Sequence, residues 1–314
     1  MVIMPENRAF LPEGSLGNPA CTLSDLKAAV KNEAILEGIA LRCEENHDLT
    51  VSLGVFTGRI PRTEAIHPAV SGSEREIAVL SRVGKPVCFC VTKVTADEAG
   101  RPQLLLSRKM AQEKALSWML EHLEAGMVVA CRVTHLEPFG AFVDMGCGVV
   151  SLLPIEALSV SRISHPADRV QVGQKLLAVV TAVDRKQKRF YLSHKELLGT
   201  WMENASRFAP GETVRGIVRN LQDYGIFVEL APNLSGLADP REGIREGDAV
   251  SVYVKSIQPE KMKVKLQIID RLPLPEKPES LRYQITDGRM ERWTYSPPGY
   301  RKEPVETVFT GDLP

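Results

Sequence analysis

The sequence predicts a mainly β protein made of consecutive five-stranded barrels joined by short α-helical connectors, and three observations carry that prediction. One stretch of the chain repeats. Within each copy, apolar and polar residues alternate at the two-residue period of strands. Between the copies the period switches to that of an amphipathic helix.

The repeat comes first because it sets the boundaries. With Gly126 placed over Gly211, residues 132–144 lie over residues 217–229 without a gap, and the match continues to Leu152 over Leu237. A second block sets Gly173 over Gly247 and Leu192-Ser193 over Leu266-Gln267, and the later copy is shorter between the blocks. Val129, Cys131 and Val133 alternate with outward residues, as do Val214, Gly216 and Val218. Leu176 to Val183 and Val250 to Ile257 are further apolar strands. Five such strands with a long third-to-fourth connection fit the five-stranded OB barrel. A weaker copy lies upstream. Glu37-Gly38-Ile39 enters its first strand, Leu49 to Leu53 is the second, and Gly58-Arg59-Ile60-Pro61 stands where the next copy has Ser151-Leu152-Leu153-Pro154.

The organisation that follows has seven parts. Residues 1–33 are an N-terminal segment with one helix, 34–110 a divergent first barrel, and 111–125 a helical connector. Residues 126–196 are the second barrel, 197–209 a second connector, 210–270 a shortened third barrel, and 271–314 a Pro-rich linker followed by a hairpin or tail. Thr22 with Asp25 three residues on is a capping box and opens a helix over Leu23 to Leu36. Leu116, Met119, Leu120 and Leu123 make one apolar face, and Leu197, Leu198, Trp201, Ala205 and Phe208 make another. Trp118 and Trp201 occupy matching places and are expected to pack on a neighbouring barrel. Leu272 to Pro278 is a stiff linker, and Tyr283 to Tyr295 a hairpin turning at Asp287-Gly288.

Bulk composition narrows the function. Hydrophobic content of 44% and charged content of 25% are those of a soluble globular protein. The 39 basic and 39 acidic side chains cancel, which argues against coating duplex DNA by charge alone but leaves room for a reader of single strands. No apolar run reaches membrane-spanning length, and Met1 to Pro12 lacks the order of a secretion signal, so a cytoplasmic protein with no membrane contact is expected. Of the six cysteines only Cys88 and Cys90 are close, on one face of a strand. Without a Cys-x-x-Cys or a His pair, no metal and no cofactor is expected, and the thiols are expected to be reduced. There is no nucleophile elbow, phosphate loop or zinc-protease motif, so no enzyme is expected.

Phe139-Gly140-Ala141-Phe142-Val143-Asp144, the later Val172-Gly173-Gln174 and the closing Leu192-Ser193-His194-Lys195 resemble the S1 RNA-binding domain. The string of barrels, about Leu36 to Asp270, resembles short clostridial-type homologues of bacterial ribosomal protein S1. That resemblance implies binding of single-stranded messenger RNA at the small (30S) ribosomal subunit in support of translation. Carried over residue by residue, it points to Phe139, Phe142, Asp184 and Arg189 in the second barrel and to Tyr224, Phe227 and Lys263 in the third. The histidine that the family places after the third strand is replaced by Pro154 and Asp239.

The residues give these positions a chemistry. A flat ring can replace the stacking neighbour that an unpaired base has lost, which is worth ~1–3 kcal/mol per base. Phe139 and Phe142 are three apart, so they share a face only if the strand is irregular, and a bulge at Gly140 or Gly225 would provide that. Rings that simply fill the barrel are the alternative. Arg185, Lys186, Lys188 and Arg189 form the densest basic run, a phosphate holder or a solvated hairpin tip. Lys261, Lys263 and Lys265 share one face by alternation, and Arg215 and Arg219 share another. The first barrel lacks the aromatic pair, with Asn46, His47 and Leu49 in its place, and is the candidate for docking to protein, the ribosome included. Two other classes stay open: a protein-docking adaptor, or an accessory subunit of an RNA-processing complex with weak RNA contact.

Overall fold

The computed structural model describes residues 10–17, 22–71, 79–274 and 281–310. Three five-stranded barrels follow one another. The first is β1 (Ile35–Cys43), β2 (Leu49–Leu53), β3 (Phe56–Ile60), β4 (Pro86–Ala96) and β5 (Pro102–Ser107), closed in the order β1-β2-β3-β5-β4. The second is β6 (Val128–Glu137), β7 (Gly140–Asp144), β8 (Val150–Pro154), β9 (Lys175–Asp184) and β10 (Arg189–Ser193). Its sheet runs β10-β9-β6-β7-β8, and the Ser151 hydroxyl donates to the Phe190 carbonyl at 2.6 Å across the remaining seam. The third is β11 (Thr213–Gln222), β12 (Gly225–Ala231), β13 (Leu234–Ala238), β14 (Ala249–Gln258) and β15 (Lys263–Leu272), closed like the first. Each is the OB topology.

Alternation decides what fills each barrel. Ala141, Val143, Leu153, Leu176, Ala178, Val180 and Leu192 are buried inside the second, and Val218, Ile226, Val228, Val252, Val254 and Leu266 inside the third. Phe89 points into the first barrel, while its neighbours Cys88 and Cys90 point out of it and join the core of the second. None of the described cysteines, Cys43, Cys88, Cys90, Cys131 and Cys147, is in a disulfide, and Cys21 lies outside the described residues.

The junctions hold buried apolar and buried charged groups together. The helix Arg108–His122 starts directly after β5, capped by the Ser107 hydroxyl, and buries Leu116 and Met119. Trp118 stacks between Phe10 and His122. Residues 10–17 wedge between barrels one and two. Glu13 receives two hydrogen bonds from Arg108, at 2.8 and 2.9 Å, and donates its own backbone N–H to Asp144. Between barrels two and three, Trp201 is buried, and Arg169 meets Glu229 through two bonds of 2.8 and 2.7 Å.

Two expected elements are corrected. The capping box of Thr22 is present, but the helix ends at Asn32 rather than Leu36. Glu33 turns left-handed (φ 48°) and returns its N–H to the last turn, and Ile35-Leu36 pair instead with Cys90-Phe89. The hairpin at Asp287-Gly288 does not form. Gly288 and Met290 bond to Val128 and Gly126 of barrel two, and the hairpin is β16 (Arg292–Thr294) with β17 (Glu306–Val308). Gln284 and Ile285 also donate their N–H groups to the Leu197 carbonyl, so this stretch is a strap across barrel two. It buries Trp293, Tyr295 and Phe309 against the junction of barrels two and three. Of the Leu272–Pro278 linker, residues 275–278 lie outside the described residues.

Candidate nucleic-acid interface

The outer face of strand two carries the site in each barrel. Phe142 faces outward between buried Ala141 and Val143, and Phe227 between Ile226 and Val228. Phe139 and Tyr224 are not in the strands. Each sits in the turn just before, 54% and 67% exposed, and folds its ring back over the same face. The two pairs have one geometry: Phe139–Phe142 centroids are 6.1 Å apart at 86°, and Tyr224–Phe227 are 6.2 Å apart at 89°. Edge-to-face contact of this kind contributes ~0.5–1.5 kcal/mol and holds each ring in place.

The expected bulge at Gly140 and Gly225 is corrected by the register. The irregularity lies on the partner strand, between Val133 and His135 in β6 and between Val218 and Asn220 in β11. The two glycines serve close approach instead: a Cβ at Gly140 would come within 2.6 Å of the Leu153 carbonyl, and one at Gly225 within 2.7 Å of the Ala238 carbonyl. The β6 bulge turns His135 outward, 6.2 Å from the Phe142 ring, with its Nε2 2.7 Å from Glu137. In β11 the equivalent residue is Asn220.

Register extends the face sideways. Phe142 pairs with Leu152, and Phe227 with Leu237, which pairs in turn with Lys265. By the repeat, the place of Lys265 is held in barrel two by Tyr191, 43% exposed. The sequence reading missed Tyr191 and His135. The alternation Phe190-Tyr191-Leu192 is the signal that marks Tyr191 as outward.

The basic candidates separate. Arg189, Lys188, Lys263 and Lys265 are exposed. Lys261 is exposed too, but it belongs to the short helical turn Pro259–Lys261 and not to the alternating strand. Asp184 is buried, and its carboxylate receives the N–H groups of Lys186 and Gln187, closing the β9–β10 turn. Arg185 donates to the carbonyls of Leu120 and Leu123 at the end of the connector helix, where a cation is favoured. Arg215 donates to the Pro273 carbonyl. Arg219, bulged out of the ladder, folds onto Glu229 at 2.9 Å and Asp168 at 3.4 Å, so it does not share a free face with Arg215. At the family's histidine position, Asp239 accepts from Lys255 at 2.8 Å, and that bond holds its carboxyl below the usual range.

Barrel one differs in kind. Register places Thr50 at the Phe142 position and His47 at the Phe139 position, one residue away from the sequence alignment that put Leu49 there. Thr50, Glu44 and Arg42 form a polar chain across that face, with bonds of 2.8 and 2.7 Å.

Several known proteins are similar to this chain. The family described as S1 RNA binding domain matches residues 122–195, the whole of barrel two. The chain is 34% identical over 263 residues to small ribosomal subunit protein bS1 of Leuconostoc lactis, covering 78% of this chain and 59% of that protein. It is 30% identical over 222 residues to the bS1 homolog of Bacillus subtilis, covering 65% of this chain and 57% of that one. The chain thus spans less than two thirds of the relatives it matches. A Streptococcus pneumoniae multidomain protein with nucleic acid binding domains aligns over 76% of this chain and 73% of its own at 17% identity, with a TM-score of 0.25. Residues 122–195 match the S1 RNA binding domain, and the chain, a string of three such barrels, is similar to bacterial bS1 over most of its own length.

Proposed function

We propose that this chain binds single-stranded messenger RNA across the outer faces of barrels two and three, in the cytoplasm and at the small ribosomal subunit, with barrel one as the part that docks on protein. The observation that carries the reading is the duplicated aromatic pair. Two rings at right angles, one on the outer face of the strand and partly exposed, one in the preceding turn and more than half exposed, recur at equivalent positions. A ring that merely filled a barrel would be buried. Stacking tolerates any base, so this surface suits many messages rather than one. Exposed Arg189, Lys263 and Lys265 beside the rings supply a few phosphate contacts. Barrel one, with a polar chain at the Phe142 position and His47 in place of Phe139, lacks the paired rings and suits a protein partner. Relatedness to bS1 supports the ribosomal setting.

Fluorescence anisotropy with an unstructured oligouridylate and a duplex RNA of equal length tests the reading. The single strand is expected to bind more tightly, with a shallow log–log salt slope set by a few phosphates at about −0.7 each. Preference for the duplex would refute it.

A further inference from the structure

The aromatic face of barrel three is not bounded by barrel three alone. A groove of about 520 Å³ runs from Tyr224 and Phe227 to Val160, Ser161 and Arg162, which belong to the long β8–β9 connection of barrel two. That connection is fastened to barrel three at its β12–β13 turn. Val160 N–H donates to the Asn233 side-chain oxygen at 3.0 Å, Ser161 N–H to the Pro232 carbonyl at 3.1 Å, and the Ser161 and Ser235 hydroxyls meet at 2.8 Å. Asn233 is itself buried and donates to the carbonyls of Lys195 and Gly199. A few residues on, Arg169 of the same connection is locked to Glu229.

Arg162 stands at the rim of this groove, exposed, with no acidic side chain and no carbonyl in contact with its guanidinium among the described residues. The other arginine lining the groove, Arg219, is committed to Glu229 and Asp168. A free guanidinium on a pinned backbone, beside a stacking pair, has the chemistry of a phosphate clamp: a planar fork of donors that suits phosphate oxygens.

We infer that barrel two contributes Arg162 to the RNA site of barrel three, so that the groove between them is one composite site for a single strand: bases stack on Tyr224 and Phe227, and a backbone phosphate is held by Arg162. The inference rests on the RNA-binding reading above and adds a residue, a direction and a partner domain to it. The strand leaves the rings toward barrel two, along β12, over roughly 20 Å. Barrel two therefore extends the reach of barrel three.

The test uses the full chain and an oligouridylate of about 30 nucleotides, long enough for two barrels at about 4–16 nucleotides each. Arg162 is exposed, so its substitution leaves the fold intact. Arg162→Ala is expected to weaken binding about five- to tenfold and to reduce the salt slope by about 0.7, whereas Arg162→Lys keeps the slope. In a Phe227→Ala background the effect of Arg162→Ala is expected to shrink, because the two act on one bound segment. Unchanged affinity and slope in Arg162→Ala, with the parent binding normally, would overturn the inference alone. A parent chain that fails to bind the oligonucleotide would overturn the RNA-binding reading and the inference with it.

Discussion

The pairing of Glu229 with Arg169 sets how firmly barrel three is held on barrel two, and its removal has a calculable effect. Glu229 lies at 6% side-chain exposure between two guanidinium groups, with Arg169 at 5% and Arg219 at 12%. Arg169 reaches it through two parallel bonds and donates from Nε to the Ser159 hydroxyl at 3.2 Å. Substituting Glu229→Ala leaves two buried cations facing one another, with only the longer Arg219–Asp168 contact to compensate. Breaking a buried pair from one side costs ~3–5 kcal/mol, a large share of a domain stability of ~5–15 kcal/mol. The parent, Glu229→Gln, Arg169→Met and the double variant form a cycle that separates the pair from its surroundings. Urea unfolding followed by tryptophan fluorescence reads it, since Trp201 is buried at that junction. Each single variant is expected to lose at least ~2 kcal/mol, and the double variant to lose much less than their sum, with a coupling of ~2 kcal/mol. Strict additivity would refute the latch.

Two further predictions concern pH and the C-terminal strap. Burial, and then the charge of Glu13, raise the Asp144 carboxyl to about 7. An acid raised in the folded state contributes stability below its unfolded value of 3.8 and loses it as pH rises through the folded value. The contribution of Asp144 to the urea midpoint is therefore expected to fall from about pH 4 to about pH 7 and to level off above, and Asp144→Asn to remove that trend; an equal slope in the variant would contradict it. His194 is buried, donates through Nδ1 to the Leu158 carbonyl, and receives the Tyr283 hydroxyl on Nε2, while Leu177 N–H donates to the same hydroxyl. Burial lowers its pKa to about 4, so its stabilisation weakens as pH falls below about 6.5. Tyr283→Phe is expected to cost ~1–2 kcal/mol and to speed amide exchange at Leu177 and Val128; unchanged exchange would mean the strap is not anchored there.

Much of the fold was legible because repeats and alternation are local signals. The gapless match of residues 132–144 to 217–229 carries both the strand order and the position of the aromatic pairs, and the closing Leu-Ser step marks the end of barrels one and two. What the sequence hid was set by long-range pairing. Phe139 and Phe142 converge because a turn residue folds back, a fact that spacing alone cannot separate from a bulge. Asp184, Arg185 and Arg219 look like free polar groups until the fold brings the turn amides, the Leu120 carbonyl and Glu229 to them. The stretch after Tyr283 reads as a hairpin because its turn residues are local, while its partners, Gly126 and Val128, are more than a hundred residues away. Arg162 gave no sequence signal at all, since its neighbour in the site belongs to another barrel.

The most direct measurement is oligouridylate affinity of the full chain carrying Phe142→Ala with Phe227→Ala, alongside circular dichroism and thermal melting. Both rings are partly exposed on outer faces and each gives up an edge-to-face contact, so the variant should melt somewhat below the parent while circular dichroism shows the same strand content. Each lost stack removes ~1–3 kcal/mol, so affinity is predicted to fall at least tenfold. A folded double variant that binds RNA as tightly as the parent would contradict the account.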